Sequence, residues 1–310
     1  MRKIAAAFVL LALPVAPASA QMVGGQDADI ANWPGMASLQ ALRGRSIYHE
    51  CGATVIAPGW ALTAAHCVEG VEAEDGAAIL YVQSGSSIRR RRFGPIGLVA
   101  GVSNLTDVPS ASEFRVRAVY PHPDYEVGFP EGGHDIALLE LEGDWSGPVM
   151  PVAGLTAPPR MGDDETWAAG FGKLGETARS TSGLSRSGRH VAAPSLILQD
   201  GAVPLVAPDT CRAQLGERIA EYGLEEVFEG VGVDTETQVC AGVGGIDSCQ
   251  GDSGGPLVER RSDGTIAQIG IVSWGLGCAR PESPGVYMRP DAFAAWISDV
   301  SGIPPYSEEP

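Results

Sequence analysis

Apolar residues along this chain gather in short blocks. "WALTAA" at 60–65 and "IALLEL" at 136–141 are largely apolar runs of strand length, the pattern of core strands. Two segments instead show helical spacing. Leu215, Ile219 and Tyr222 recur within "RAQLGERIAEYGLEEVFEG" at 212–230, which predicts a long helix there. Phe293, Trp296 and Ile297 fall on one side of "PDAFAAWISDV" at 290–300, which predicts a docked C-terminal helix. The 41 glycines and 23 prolines are spread along the chain and favour many short strands joined by turns. With 44% hydrophobic residues in 310, there is ample material for a large core.

The first twenty residues form a separate pattern. Arg2 and Lys3 precede the apolar stretch "IAAAFVLLALPVA" at 4–16, and Ala18 and Ala20 supply small residues for a cleavage site. That three-part order predicts a signal peptide over 1–20, with export and release into an extracellular or periplasmic space. The rival reading, a buried N-terminal helix, leaves the basic start and the small-residue end without a role. No later segment is apolar and long enough to span a bilayer.

Export makes the six cysteines readable as three disulfides, though spacing alone does not choose the pairs. The formal net charge of −17 argues against nucleic acid or an anionic membrane as partner. The arginine run at 89–92 is too short to reverse this. It reads as an exposed loop end before Gly94 and Pro95, and hence as a site of proteolytic nicking.

"DSCQGDSGGP" at 247–256 holds Ser253 between Asp252 and Gly254. Serine is a poor nucleophile unless a base takes its proton and donors hold the oxyanion. Glycines on both sides permit a sharp turn, so the N–H groups of Gly251 and Ser253 can point at one spot. A plain Gly-rich turn would not need the whole pattern. For the base, His66 follows the apolar run at 60–65 and precedes Cys67. A Cys51–Cys67 bridge would pin its backbone and could add roughly 3 kcal/mol of stability. His49, His122, His134 and His190 lie in polar or Pro-rich surroundings and read as surface or locally bonded. Asp135, at the head of the 136–141 run, would be partly buried and would need a partner such as an imidazole.

His66, Asp135 and Ser253, in that order and with these flanks, resemble the chymotrypsin/trypsin family of serine endopeptidases. "MVGG" at 22–25, "TAAHC" at 63–67, "DIALLEL" at 135–141, "AGFG" at 169–172, "GDSGGP" at 251–256, "IVSWG" at 271–275 and "PGVY" at 284–287 carry the resemblance. It implies an all-β fold of two six-stranded antiparallel β-barrels with a C-terminal helix. The peptidase domain would run over 22–301, with a barrel boundary near 155 and a tail at 302–310. It implies the pairs Cys51–Cys67, Cys211–Cys240 and Cys249–Cys278. It also implies cleavage after Arg or Lys, with Asp247 at the pocket floor, Gly275 and Gly285 as open walls, Ser248 beside Asp247, and Ser273 helping to hold Asp135. An amine on Met22 would pair with Asp252 after activation, which leaves Gln21 as a residual propeptide.

Departures from the family pattern accompany these matches. An insertion occupies roughly 70–95, and the Cys211–Cys240 segment is long, which suggests a helix near the far substrate subsites. At the family's calcium loop, 101–111, Gly101 and Ala111 stand where acids would be needed. Asp107 alone is too little for a hard cation, so no metal and no cofactor are expected. Protein or peptide substrates and protein protease inhibitors are the expected partners of a monomer, and the short leader suggests a bacterial host. A non-catalytic binding or adhesion protein on the same scaffold would usually have lost a triad residue or an oxyanion-loop glycine. A serine esterase of another fold would run Ser…Asp…His.

Overall fold

A computed structural model describes residues 22–43, 46–83, 90–159, 165–175 and 194–307. A two-residue strand, β1 (Gln26–Asp27), is followed by β2 (Met36–Arg43), β3 (Ser46–Ala57), β4 (Trp60–Thr63), β5 (Val71–Glu74), β6 (Ala77–Gln83), β7 (Arg90–Ala100), β8 (Glu113–Pro121) and β9 (Ala137–Leu141). The second half contains β10 (Glu165–Gly170), β11 (Gln199–Ala202), β12 (Leu205–Val206), α1 (Pro208–Tyr222), β13 (Gln238–Ala241), β14 (Pro256–Arg260), β15 (Ile266–Trp274), β16 (Gly285–Met288) and α2 (Ala294–Ser301).

β2, β3, β4, β9, β8 and β7 pair in that order, and β2 also pairs with β7, so six antiparallel strands close a barrel. β6 and β5 extend it from β7. The second sheet runs β1-β11-β10-β14-β15-β16-β13-β12. Only Val203 and Pro204 separate β11 from β12, so one bent strand joins the two ends of this sheet. The expected two-barrel, all-β fold with a C-terminal helix is the fold of the chain.

The apolar run at 136–141, interrupted only by the partly exposed Glu140, has a simple cause. Ala137, Leu139 and Leu141 face the first barrel's core, alongside Leu39, Val55 and Leu98. Ile136 and Leu138 face the other way, into a cluster with Ile271 and Met288 of the second sheet and Phe293 and Ile297 of the C-terminal segment. Both faces of β9 are buried, so the alternation of a half-buried strand disappears. At about 1.5–3 kcal/mol for each fully buried aliphatic side chain, this seam holds the barrels together. It also fixes where the end of β9 stands against β15.

Arg90–Arg92 of the arginine run are not a loop end. The backbone of Arg90–Arg92 belongs to β7 and pairs with Gln83, Val82 and Tyr81 of β6. A register shift at Leu80/Tyr81 lets the ladder pass Gly94 and Pro95. An extended partner strand outweighs local turn chemistry here. The nicking expectation is withdrawn for Arg90–Arg92, while Ile88 and Arg89 lie outside the described residues. His190, Gln21 and the leader at 1–20 also lie outside them. Beyond α2, Ile303 packs on the inter-barrel cluster and Tyr306 N donates to Gly154 O.

Candidate active site

β4 and β9 pair with Thr63 opposite Ala137. The turn after β4 (Ala65–Val68) and the residue two before β9 therefore meet at one edge. There His66 Nδ1 lies 2.7 Å from Asp135 Oδ2, and His66 N donates to Asp135 Oδ1 at 2.8 Å. Asp135 is fully buried, and Ser273 Oγ, from β15 of the other barrel, donates to Oδ2 at 2.5 Å. Three donors compensate the buried carboxylate. Burial by itself would lower the pKa of His66, but the Asp135 hydrogen bond and the charges of Asp135, Glu69 and Glu131 outweigh it and raise it. The carboxylate accepts a hydrogen bond from Nδ1–H, so Nε2 is the nitrogen free to act as base.

Ser253 sits in a turn pressed against the first barrel. Gly52 N donates to Ser253 O at 2.7 Å. Gly254 has φ +81°, and a Cβ there would stand 2.2 Å from Thr63 Oγ1 and 2.9 Å from Ala64 N, so only glycine lets the turn come this close. The disulfide sulfur of Cys67 lies 3.7 Å from His66 Nε2 and 3.6 Å from Ser253 O, between the two candidate residues. Ser253 Oγ itself has no hydrogen-bond partner among the described residues. The three disulfides are Cys51–Cys67, Cys211–Cys240 and Cys249–Cys278.

Asp252 points away from solvent. Cys249 N and Gly172 N donate to its two oxygens at 2.8 and 2.7 Å, and burial pushes its pKa up to about 6. "AGFG" has its physical reason here. A Cβ on Gly170 or Gly172 would lie 1.9 or 2.4 Å from the Asp252 carboxyl group.

Sequence reasoning missed the group behind the Gly251–Ser253 turn. His49 bridges Gly251 O, 2.8 Å from Nε2, and Ser38 Oγ, 2.7 Å from Nδ1. A carbonyl can only accept, so Nε2 carries the proton and Nδ1 accepts from Ser38 Oγ. Gln40 Nε2 completes the chain by donating to Ser38 Oγ at 3.2 Å. Burial lowers the pKa of His49 to about 4, so it stays neutral while His66 titrates. Nothing local in "IYHEC" betrays this, because the partner is 202 positions away. We expect His49→Ala to lower kcat by on the order of ten- to a hundredfold through a misplaced Gly251 N–H, with KM nearly unchanged. Steady-state kinetics on a peptide amide would check this, and an equal loss carried in KM would count against it.

Beside Ser253 opens a cavity of about 210 Å³ lined by Asp247, Ser248, Gly275, Gly285 and Tyr287. Asp247 is 4% exposed. Its Oδ2 accepts from Ala279 N at 2.9 Å, while its Oδ1 is buried and, among the described residues, no group donates to it within hydrogen-bond geometry. Burial pushes its pKa up to about 7, against two backbone hydrogen bonds that pull it down. The Oγ of Ser248 lies 2.7 Å from the Tyr287 hydroxyl. The Gly244–Gly245 pair before Asp247 takes positive φ at both residues, and Gly245 O lies where a Cβ on Gly24 would be, so the loop is packed on the N-terminal segment. Helix α1 stops at Gly223 in the left-handed conformation, shorter than the 212–230 pattern suggested. Beyond it Phe228 stacks on Trp274 of the cavity wall, so the long segment does reach this site.

The sequence pattern described as Trypsin matches residues 22–297. The chain is 30% identical over 297 residues to the suppressor of tumorigenicity 14 protein homolog of Bos taurus, covering 91% of this chain and 28% of that protein. It is 31% identical over 306 residues to serine protease 56 of Mus musculus, covering 94% of this chain and 41% of that protein. The chain thus spans less than half the length of either relative, and both are mammalian, which gives the expected bacterial host no support. With the pattern matched across nearly all the described residues, the chain belongs to the trypsin family of chymotrypsin-like serine proteases.

Proposed function

We propose that this chain is an exported serine endopeptidase that cleaves peptide bonds after Arg or Lys. The observation that carries the specificity is Asp247 Oδ1, a buried carboxylate oxygen without a hydrogen-bond partner among the described residues, on an open slot next to Ser253. A guanidinium or ammonium group at the end of a long side chain supplies what that oxygen lacks. Gly275 and Gly285 keep the slot clear: a Cβ on Gly285 would already lie 3.5 Å from Asp247 Oδ1.

In this reading the mechanism runs through His66, Asp135 and Ser253. His66 Nε2 takes the Ser253 proton as Oγ attacks the scissile carbonyl. The oxyanion is held by Gly251 N and Ser253 N, with His49 anchoring the Gly251 carbonyl behind them. The imidazolium then passes its proton to the leaving amine, and water releases the acyl-enzyme. Protein or peptide substrates and proteinaceous inhibitors that present an Arg or Lys side chain are the partners such a slot accepts, by a monomer. Peptide-library cleavage by protein of known N-terminus tests the reading. Cuts confined to Arg and Lys sites support it, and no preference for a basic residue would sink it.

Activation follows the same chemistry. Met22 is 1% exposed and packs with Ala168, Val203, Leu257 and Tyr287, while β1 pairs with β11 and Val23 O accepts from Asp247 N. In this reading a free Met22 amine would pair with Asp252 and stabilise the Gly251–Ser253 turn. Signal peptidase favours cutting after Ala20, which leaves Gln21 as a one-residue brake that an Arg/Lys-specific enzyme cannot remove itself. N-terminal sequencing of active enzyme is expected to read Met-Val-Gly-Gly, and a form starting at Gln21 to be nearly inactive. Equal activity of the two forms would leave Gln21 no regulatory role.

A further inference from the structure

Two histidines that the mechanism does not use meet at the open end of the β8–β9 ladder. Pro121 pairs with Ala137, and the next residue, His122, donates its N–H to Ile136 O at 2.9 Å. The ladder thus sets His122 against His134, two residues before Ile136. Their rings stack at 5.1 Å with 26° between planes. Phe293 lies edge-on to both rings, at 5.0 and 5.9 Å, and Trp296 to His122 at 5.0 Å. A third group joins them. Asp124 Oδ2 lies 3.9 Å from His122 Nδ1, which also accepts from Asp124 N at 3.2 Å. Neither ring nitrogen of His134 has a hydrogen-bond partner among the described residues.

One donor atom from each of His122, Asp124 and His134 lies within 4.8 Å of the others. A tetrahedral ion with ligands at about 2.0–2.2 Å needs donors on the order of 3.4 Å apart. Asp124, 71% exposed, is free to swing the remaining distance. Two imidazoles and one carboxylate suit a first-row divalent ion of the Zn²⁺ type far better than Ca²⁺ or Mg²⁺. The aromatic wall of Phe293 and Trp296 restricts the rings as a supporting shell does in metal sites. Among the described residues one other group of three potential ligands lies as close together, Cys51, Cys67 and His66, but its sulfurs are joined in a disulfide and offer no thiolate.

We propose that His122, Asp124 and His134 bind one divalent transition-metal ion and that the bound ion slows the protease. This departs from the expectation of a metal-free chain. His134 is the residue before Asp135, so an ion tying it to His122 and Asp124 restrains the segment that orients His66. It also sets two positive charges beside the carboxylate that must stabilise the imidazolium. The inhibitory half rests on the proposed protease activity; the binding half does not.

Calorimetry with Zn²⁺ alone on a His66→Ala protein, where the catalytic imidazole cannot serve as ligand, is expected to give one ion per chain. His134→Gln and His122→Gln should abolish binding, and Asp124→Asn, at an exposed position, should weaken it by about 10- to 100-fold. Thermal melts of each variant without metal would show that the fold is kept, and the Asp124 variant stands as the test if a histidine variant does not fold. On the parent enzyme, Zn²⁺ is expected to lower kcat on the order of five- to a hundredfold, with the effect lost in Asp124→Asn at the same Zn²⁺ concentration. No binding, or binding that survives all three substitutions, overturns the site. Binding that the variants abolish while kcat of the parent stays unmoved overturns the inhibition alone.

Discussion

Ser253→Ala and His66→Ala are each expected to lower kcat by roughly a million-fold, and the double variant to be little worse than either. The two groups act as one unit: without the base the hydroxyl keeps its proton, and without the hydroxyl the base has nothing to activate. Asp135→Asn is expected to cost about ten-thousandfold near neutral pH, and the geometry shows why. Oδ1 accepts the His66 backbone N–H, which leaves the amide NH2 of an Asn at the position of Oδ2. There it would face His66 Nδ1 and the Ser273 hydroxyl, both donors in the parent. The imidazole would have to put its proton on Nε2, the wrong side for a base. In the parent, activity is expected to rise with pH as Nε2 loses its proton, at a pKa above the ordinary histidine value because Asp135, Glu69 and Glu131 surround the ring. Single-turnover kinetics across pH would check all of this, and near-normal turnover by His66→Ala would remove the triad.

Asp247→Ser is expected to cost about 3–5 kcal/mol in transition-state binding of Arg substrates, while substrates with an uncharged residue at that position lose little. The loss is that of a charge brought to a dry slot without its partner. The parent has a pH signature of its own. With its pKa pushed up to about 7 by burial, Asp247 is largely protonated below that pH in the free enzyme. KM for basic substrates is therefore expected to fall as pH rises through about 7. The stability sign is opposite. A carboxyl group whose folded pKa lies above its unfolded value contributes stability that is complete below the unfolded pKa and lost as pH rises through the folded one. Asp247→Ser should accordingly gain thermal stability relative to the parent at pH 8 and not at pH 3. Comparison of kcat/KM for matched Arg and Phe peptides, with melts at both pH values, tests the assignment; parity on the Arg peptide would refute it.

Part of this protein was legible without a structure because its signals are local. Glycine and proline at short intervals limit the chain to short strands, and the run at 136–141 could be read as a core strand from its composition. Ser253, His66 and Asp135 each stand in a distinctive stretch, since a nucleophile turn needs glycine and a base beside a disulfide needs Cys67. What the sequence did not contain was distance. "IYHEC" looks polar and exposed, yet the two barrels close over His49 and give it Gly251 as a partner. The arginine run has the chemistry of a loop end, yet β6 offers Arg90–Arg92 a ladder and they join a strand. His122 and His134 meet because β8 and β9 pair in one register and not another. The glycines of "AGFG" are required because Asp252, some eighty residues later, fills the space their side chains would take. Periodicity and turn chemistry depend on neighbours a few residues apart and can be read from one strand of text. Burial of a polar group, its partner and its charge depend on which surfaces meet, and only the packed barrels decide that.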